Sequence, residues 1–268
     1  MPEPYSTPIL QPLRHAVLRP LLEIDAVQKA KLTLALSLEW PIDPLAIIAD
    51  PGHIPGRPDK PELVAHTAVK SKPLNTLEGR AGLVHAVAHI ELNAINLALD
   101  VVWRFSGMPA NFYTDWVQIA QEEAKHFLLL QAHLVDMGFD YGSFVAHNSL
   151  WEMAERTRDD VLARIGLVPR TMEARGLDAS PAVKNKLISA GDLAGGRILD
   201  IILADEIGHV AAGNRWYRYV CELRGLDPIA TYRKLIVQYD APKLKSPYNL
   251  AARRLAGFTE EELKDLAS

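Results

Sequence analysis

Two short runs constrain this chain more than anything else in it: Glu122-Glu123-Ala124-Lys125-His126 and Asp205-Glu206-Ile207-Gly208-His209. In each, a glutamate and a histidine stand three apart. On an α-helix they project from one face, about one turn from each other. The face through Glu123 also carries Trp116, Ile119, Ala120, Phe127 and Leu130, and the face through Glu206 carries Leu199, Ile202, Leu203 and Val210. A carboxylate and an imidazole set in an apolar stripe are costly to desolvate unless something compensates them. A bound cation does so.

Upstream of each run lies a further glutamate at nearly the same distance. Glu91 precedes Glu123 by 32 residues, on a face of Val84, Val87, Ala88, Ala94, Ile95 and Ala98, and Glu173 precedes Glu206 by 33. The chain therefore reads as a quasi-repeat of two helix pairs, each with a lone glutamate and then Glu-x-x-His. Glu91, Glu123, His126, Glu173, Glu206 and His209 are the candidate metal ligands. Their four carboxylates offset two divalent ions, and two neutral imidazoles complete the set. The neighbourhood of Glu173 is less apolar, with Arg170 and Arg175 close by and Glu152 and Glu155 on the same stretch, so the spacing is what selects it. Asp205 and Glu122 each precede a candidate ligand and are placed to accept the second ring proton of the histidine on the opposite helix pair, which fixes that ring. His85 and His89 lie on another side of their helix from Glu91, which suits interhelical contacts. Trp116 and Trp216 read as core packing, and Cys221 as an inert thiol near a helix end.

With 268 residues the chain can bury a substantial core. A net charge of −4 argues against nonspecific nucleic-acid binding as the main activity. The single cysteine permits no intrachain disulfide and fits a reducing compartment. The amino terminus lacks the basic start and apolar core of a secretory signal, and no uncharged apolar run approaches the roughly 18 residues of a spanning helix. The expectation is a cytoplasmic protein with no membrane partner.

Three regions follow along the chain. Residues 1–76 are expected to form a proline-rich start extended over the surface to about residue 20, a helix from Leu21 to Leu38, and a wrapping arm with seven prolines between Glu39 and Asn75. Residues 77–224 carry four long helices: about Leu77 to Phe105, Ala110 to Met137, Ser149 to Arg175 and Leu187 to Leu223. Gly176 is read as the stop of the third, Pro169 as a kink or division within it, and Ser180-Pro181 as the approach to the fourth. Residues 225–268 form a helical extension, with a helix from Pro228 to Tyr239 and a terminal one opened by a Thr259/Glu262 capping box.

At its Glu and Glu-x-x-His positions, from about Leu77 to Leu223, the chain resembles the ferritin-like superfamily. More narrowly, it is similar to an uncharacterised bacterial family of ferritin-like proteins related to the tRNA-modifying diiron hydroxylases. Asp205-Glu206-Ile207-Gly208-His209 matches the Asp-Glu-x-Arg-His pattern of diiron oxygenases except that Gly208 replaces the arginine. Glu122 and Lys125 replace the aspartate and arginine in the other copy. The ligands survive those departures; a particular oxygenase activity is not carried over by them. The resemblance implies an all-α, ferritin-like four-helix bundle with a dimetal centre and, often, oxygen chemistry.

The expected function is a dimetal redox enzyme that activates dioxygen or peroxide to oxidise or hydroxylate a substrate. Mixed imidazole and carboxylate ligands favour two iron ions, with manganese next and zinc after it. The alternatives are a non-catalytic metal-binding or storage protein, a tRNA hydroxylase served by Arg253-Arg254 and the Lys243 to Lys245 segment, and a manganese-catalase-like peroxide disproportionation. Those basic segments are short and ordinary, so nucleic acid ranks low as a partner. A homodimer is compatible with the reading.

Overall fold

Local capping signals and one proline decide where the helices of this chain begin, bend and stop. A computed structural model describes residues 11–266, which contain twelve α-helices and no strand. The first three are α1 (Leu13–Ala16), α2 (Leu18–Leu22) and α3 (Ala26–Leu34). The helix expected from Leu21 to Leu38 is thus two helices. The Asp25 side chain accepts from Gln28 N at 2.7 Å and starts α3 afresh. The surface start expected for residues 1–20 lies outside the described residues as far as residue 10. Beyond it the expectation fails, because Leu13, Val17 and Leu21 are fully buried. Arg14, also buried, explains why: its Nε and Nη2 donate to the carbonyls of Val102 and Trp103 at 3.0 and 2.9 Å, and its Nη1 donates to Ala46 O at 2.6 Å.

The proline-rich arm lies against the helices. Gly56 N donates to Leu21 O at 2.8 Å. A Cβ on Gly56 would sit 2.1 Å from Leu22 O, so only glycine permits this approach. Further on, Leu63 and Ala146 form an isolated parallel bridge.

α4 (Leu77–Arg104) starts where the Thr76 side chain accepts from Gly79 N at 3.0 Å. α5 (Ala110–Asp136) follows Pro109 after a short turn in which Gly107 takes a positive φ of 80°. The short turn folds the two back as antiparallel neighbours. By length and composition α4 is apolar enough to cross a membrane, but 72% of its most apolar window is buried, which marks it as a core helix.

The third segment departs most from expectation. It comprises α6 (Ser149–Arg156), α7 (Val161–Leu167), a π-helical turn (Val168–Glu173) and α8 (Ala174–Ser189). Pro169 has no N–H to donate and its ring crowds the preceding turn, so the backbone opens there. Thr171 Oγ1 donates to Gly166 O at 2.7 Å across the opened turn. Gly176 does not end the helix, and Pro181 lies inside α8. The Leu177 carbonyl that Pro181 leaves without a helical donor accepts instead from Asn249 Nδ2 at 3.2 Å. α9 (Leu193–Leu223) therefore begins six residues later than expected, where the Asp192 side chain accepts from Gly195 N at 2.8 Å.

α10 (Pro228–Gln238), α11 (Leu250–Leu255) and α12 (Glu260–Asp265) complete the chain. The capping box expected at Thr259 and Glu262 is present. Buried Arg170 in the π-helical turn ties this end to the body: its guanidinium lies over the rings of Tyr217, Tyr232 and Phe258 and pairs with Glu262. α5 packs on α4 and α9, and α9 packs on α7, the π-helical turn and α8. At one crossing a Cβ on Gly213 of α9 would come within 3.1 Å of Pro169 Cβ, so the absence of a side chain sets how closely the two segments approach.

Candidate metal centre

The apolar faces that α4, α5 and α9 turn toward one another carry charged groups at their middle. Glu91 on α4 and Glu123 and His126 on α5 place ligand atoms within 4.8 Å of one another. Glu123, Glu206 and His209, the last two on α9, form a second such triad. Glu123 belongs to both. All five side chains are buried.

His126 Nδ1 lies 3.1 Å from Glu91 Oε2 and 3.3 Å from Glu123 Oε2, and its Nε2 lies 2.9 Å from Asp205 Oδ2. His209 repeats the arrangement from the other side. Its Nε2 lies 2.7 Å from Glu122 Oε2, and its Nδ1 lies 3.0 Å from Glu123 Oε1 and 3.9 Å from Glu206 Oε2. Each imidazole thus turns one nitrogen inward and leans the other on a carboxylate from the opposite helix. Asp205 and Glu122 stand where the sequence puts them, about one-third exposed at the edge of the cluster.

Glu173, at the end of the π-helical turn, joins neither triad. It faces the same cluster nonetheless: burial, and then the charges of Glu206 and Glu123, raise its carboxyl well above the ordinary range. Its Oε2 is shut off from solvent without a hydrogen-bond partner. His85 and His89 face elsewhere. His85 Nε2 accepts from Gly142 N at 3.0 Å. His89 Nε2 lies 2.9 Å from His147 O, and its Nδ1 lies 2.7 Å from the Tyr141 hydroxyl. Burial lowers both to about 4, so they are neutral pins between α4 and the loop before α6.

The electrostatics show what the cluster lacks. Burial, with Glu123 next, raises Glu91 and Glu206. Burial alone would raise Glu123 as well, but the two imidazoles outweigh it and hold this carboxyl low. Burial would lower His126, yet Glu123 and Glu91 push it up to about 11. His209 is likewise raised, burial being overcome by Glu123 and Glu122. Protons are thus drawn to the cluster to offset crowded negative charge. Even so, Glu206 Oε2 has no hydrogen-bond partner, and His209 Nδ1 and Glu123 Oε1 meet at 3.0 Å as an ion pair without hydrogen-bond alignment. Buried unsatisfied oxygens and an inward nitrogen are costly, and a cation satisfies all of them together. The donor set fits a bound metal.

A cleft of about 400 Å³ between α5 and α9 reaches this cluster from the surface, lined among others by Glu122, Asp205, Gly208 and His209. A Cβ at Gly208 would meet nothing within 4 Å, so the missing side chain leaves the floor open. At the rim, Asp115 Oδ2 accepts from Arg215 Nη2 at 2.7 Å and from Trp216 Nε1 at 2.8 Å. Sequence reasoning read Trp216 first as core packing and missed the Asp115–Arg215 pair. The available signal was that Asp115 shares its side of the helix with Gln118 and Glu122.

Together these features define an all-helical protein with buried glutamate and histidine groups able to hold metal. The chain matches the family model described as "Protein of unknown function (DUF455)" over residues 22–264, and it belongs to that family. It is 47% identical over 213 residues to an uncharacterized protein of Haemophilus influenzae, a match spanning 77% of this chain and 74% of the relative. No solved structure matches the chain.

Proposed function

We propose that this protein is a dimetal redox enzyme on a ferritin-like four-helix bundle, with iron as the favoured metal. The observation that carries the reading is the pair of buried triads sharing Glu123. Glu91, Glu123 and His126 would hold one ion, and Glu123, Glu206 and His209 the other, with Glu173 beside the second. Four helical segments supply these groups in the ligand pattern of dimetal carboxylate bundles, namely a glutamate from each of two helices and Glu-x-x-His from each of the others.

Bound iron supplies the reduction of dioxygen or peroxide coupled to oxidation of a substrate. The chain's own residues do the rest. Asp205 and Glu122 orient the two imidazoles and keep their inner nitrogens free to ligate. Buried Trp116, Ile119 and Phe127 shield the cluster from water. The cleft over Gly208 gives a substrate access beside His209. That opening favours a catalyst over a closed storage shell.

The test is metal per chain by elemental analysis, together with an optical spectrum recorded as the reduced protein meets oxygen. Two irons and an oxygen-dependent absorption change are expected. A protein that takes up no metal, or holds only zinc and is indifferent to oxygen, overturns the proposal.

A further inference from the structure

A second cleft, of about 380 Å³, opens where the proline-rich arm crosses the ends of α4 and α6. Its volume falls in the range of small-ligand sites, roughly 300–1,000 Å³. Arg57, Arg104 and Arg158 line it from three different segments, with Asp50 and Glu155. The three guanidinia are unequally engaged. Arg158 faces Asp50 at 3.2 Å, Glu155 at 3.6 Å and Asp159 at 4.0 Å, all at the exposed edge. Arg104 turns Nε and Nη2 to Asp100, a carboxylate that also pairs with buried Arg164. Its Nη1 makes no hydrogen bond among the described residues.

Arg57 stands apart from both. Among the described residues it forms no ion pair and no hydrogen bond; its Nη2 is shut off from solvent, which leaves its Nε and Nη1 as the unpaired groups a ligand can reach. Its guanidinium carbon lies 5.8 Å from the Trp151 ring, and Tyr141, Glu155 and Lys29 are its electrostatic neighbours. An unpaired guanidinium with a sealed N–H is costly to fold around. Nothing in the metal cluster or its access cleft uses it.

We propose that this cleft binds the phosphate of a small phosphomonoester, with Arg57 as the principal anchor and Arg104 and Arg158 completing the cradle. The chemistry follows from the donors. A guanidinium presents a planar fork matched to oxyanions, and forks approaching from three segments suit a dianion with three free oxygens better than a carboxylate, which one fork satisfies. Arg158, held loosely by exposed carboxylates, is free to turn inward when the anion arrives. The site is independent of the metal centre, so either proposal can fail alone.

The experiment is calorimetric titration of the full-length protein with inorganic phosphate, ribose 5-phosphate, a dinucleotide phosphodiester and citrate. Thermal unfolding is recorded with and without each. Saturable binding of phosphate and ribose 5-phosphate, with a rise in Tm, is expected. Arg57→Met should weaken that binding at least tenfold and Arg158→Ala by a smaller factor. Arg215→Ala, in the other cleft, should leave it unchanged. Without phosphate, Arg57→Met should keep or raise Tm, since it removes an unpaired charge while keeping much of the contact with Trp151. No binding at millimolar phosphate, or binding of only the diester or only citrate, overturns the proposal. So does an Arg57→Met protein that unfolds earlier yet still responds to phosphate, because Arg57 would then be a packing residue. If Arg57→Met fails to fold, undiminished phosphate binding by Arg158→Ala likewise overturns it.

Discussion

Replacing Glu123 removes the one carboxylate that faces both imidazoles, so its loss should empty both halves of the centre. Glu123 oxygens lie 3.3 Å from His126 Nδ1 and 3.0 Å from His209 Nδ1, and the residue is fully buried. An ion held by either imidazole is therefore within about 4 Å of this charge. Unit charges at that distance interact by about 4 kcal/mol at an effective dielectric near 20, and a divalent ion roughly doubles the figure. Even the smaller value corresponds to about three decades in affinity. Glu123→Ala should retain fewer than one ion per chain, whereas Glu91→Ala, which removes a ligand from one triad only, should retain about one. Glu123→Gln separates charge from packing, since it keeps the side-chain volume. The assay is metal per chain by elemental analysis after gel filtration in dilute chelator, with circular dichroism confirming the fold. Two ions retained in Glu123→Gln at wild-type affinity would refute the reasoning.

Three further outcomes are expected. Glu173→Ala should lose about one ion, as Glu91→Ala does; full retention there, with loss in Glu152→Ala or Glu155→Ala instead, would show that the third segment is wrongly assigned to the centre. Asp205→Asn and Glu122→Gln should each weaken metal binding by about 10- to 100-fold without abolishing it, because they free an imidazole to rotate; a competition titration against a chelator measures this, and unchanged affinity would reduce both residues to surface charges. Lys29 is buried, donating to Leu21 O at 3.0 Å and Asn96 Oδ1 at 2.7 Å, and burial, with Arg57 next, lowers it to about 7. Between pH 7 and the ordinary lysine value the unfolded chain then binds the extra proton, so this residue makes stability rise with pH by up to about 1.4 kcal/mol per unit. Denaturant titrations should show wild type gaining on Lys29→Met across that window, and a constant difference would show that Lys29 keeps its ordinary pKa.

Much of the helical frame was legible because its signals are local. Thr76 and Pro109 mark the starts of α4 and α5, and the Glu-x-x-His spacing sets which faces turn inward. The reciprocal carboxylate–imidazole contacts were legible too, since Asp205 and Glu122 occupy equivalent positions in two similar runs. The third segment was not. Gly176 and Pro181 look like stops when only neighbours are considered, yet distant groups supply what the helix lacks. Asn249 and Arg253 donate to the carbonyls of Leu177 and Ala174 from more than seventy residues away. The buried start of the chain was hidden for the same reason. Arg14 reads as a surface charge until the carbonyls of Val102 and Trp103, at the other end of α4, are brought against it. The arginine cleft combines three segments whose separate sequences carry no shared pattern.

The crossing of supports between α5 and α9 bears on how the centre tolerates change. His126 leans on Asp205 while His209 leans on Glu122, so each helix is both supporter and supported. Such reciprocity is the signature of an isologous contact between two subunits related by a dyad, here enclosed within one polypeptide. Damage therefore crosses over: a substitution at position 122 is felt by the imidazole of the other helix, not by the one a turn away along its own. A lineage altering one carboxylate of the pair would meet its compensating change 79 or 87 residues away along the chain, so the two runs drift as partners rather than as neighbours.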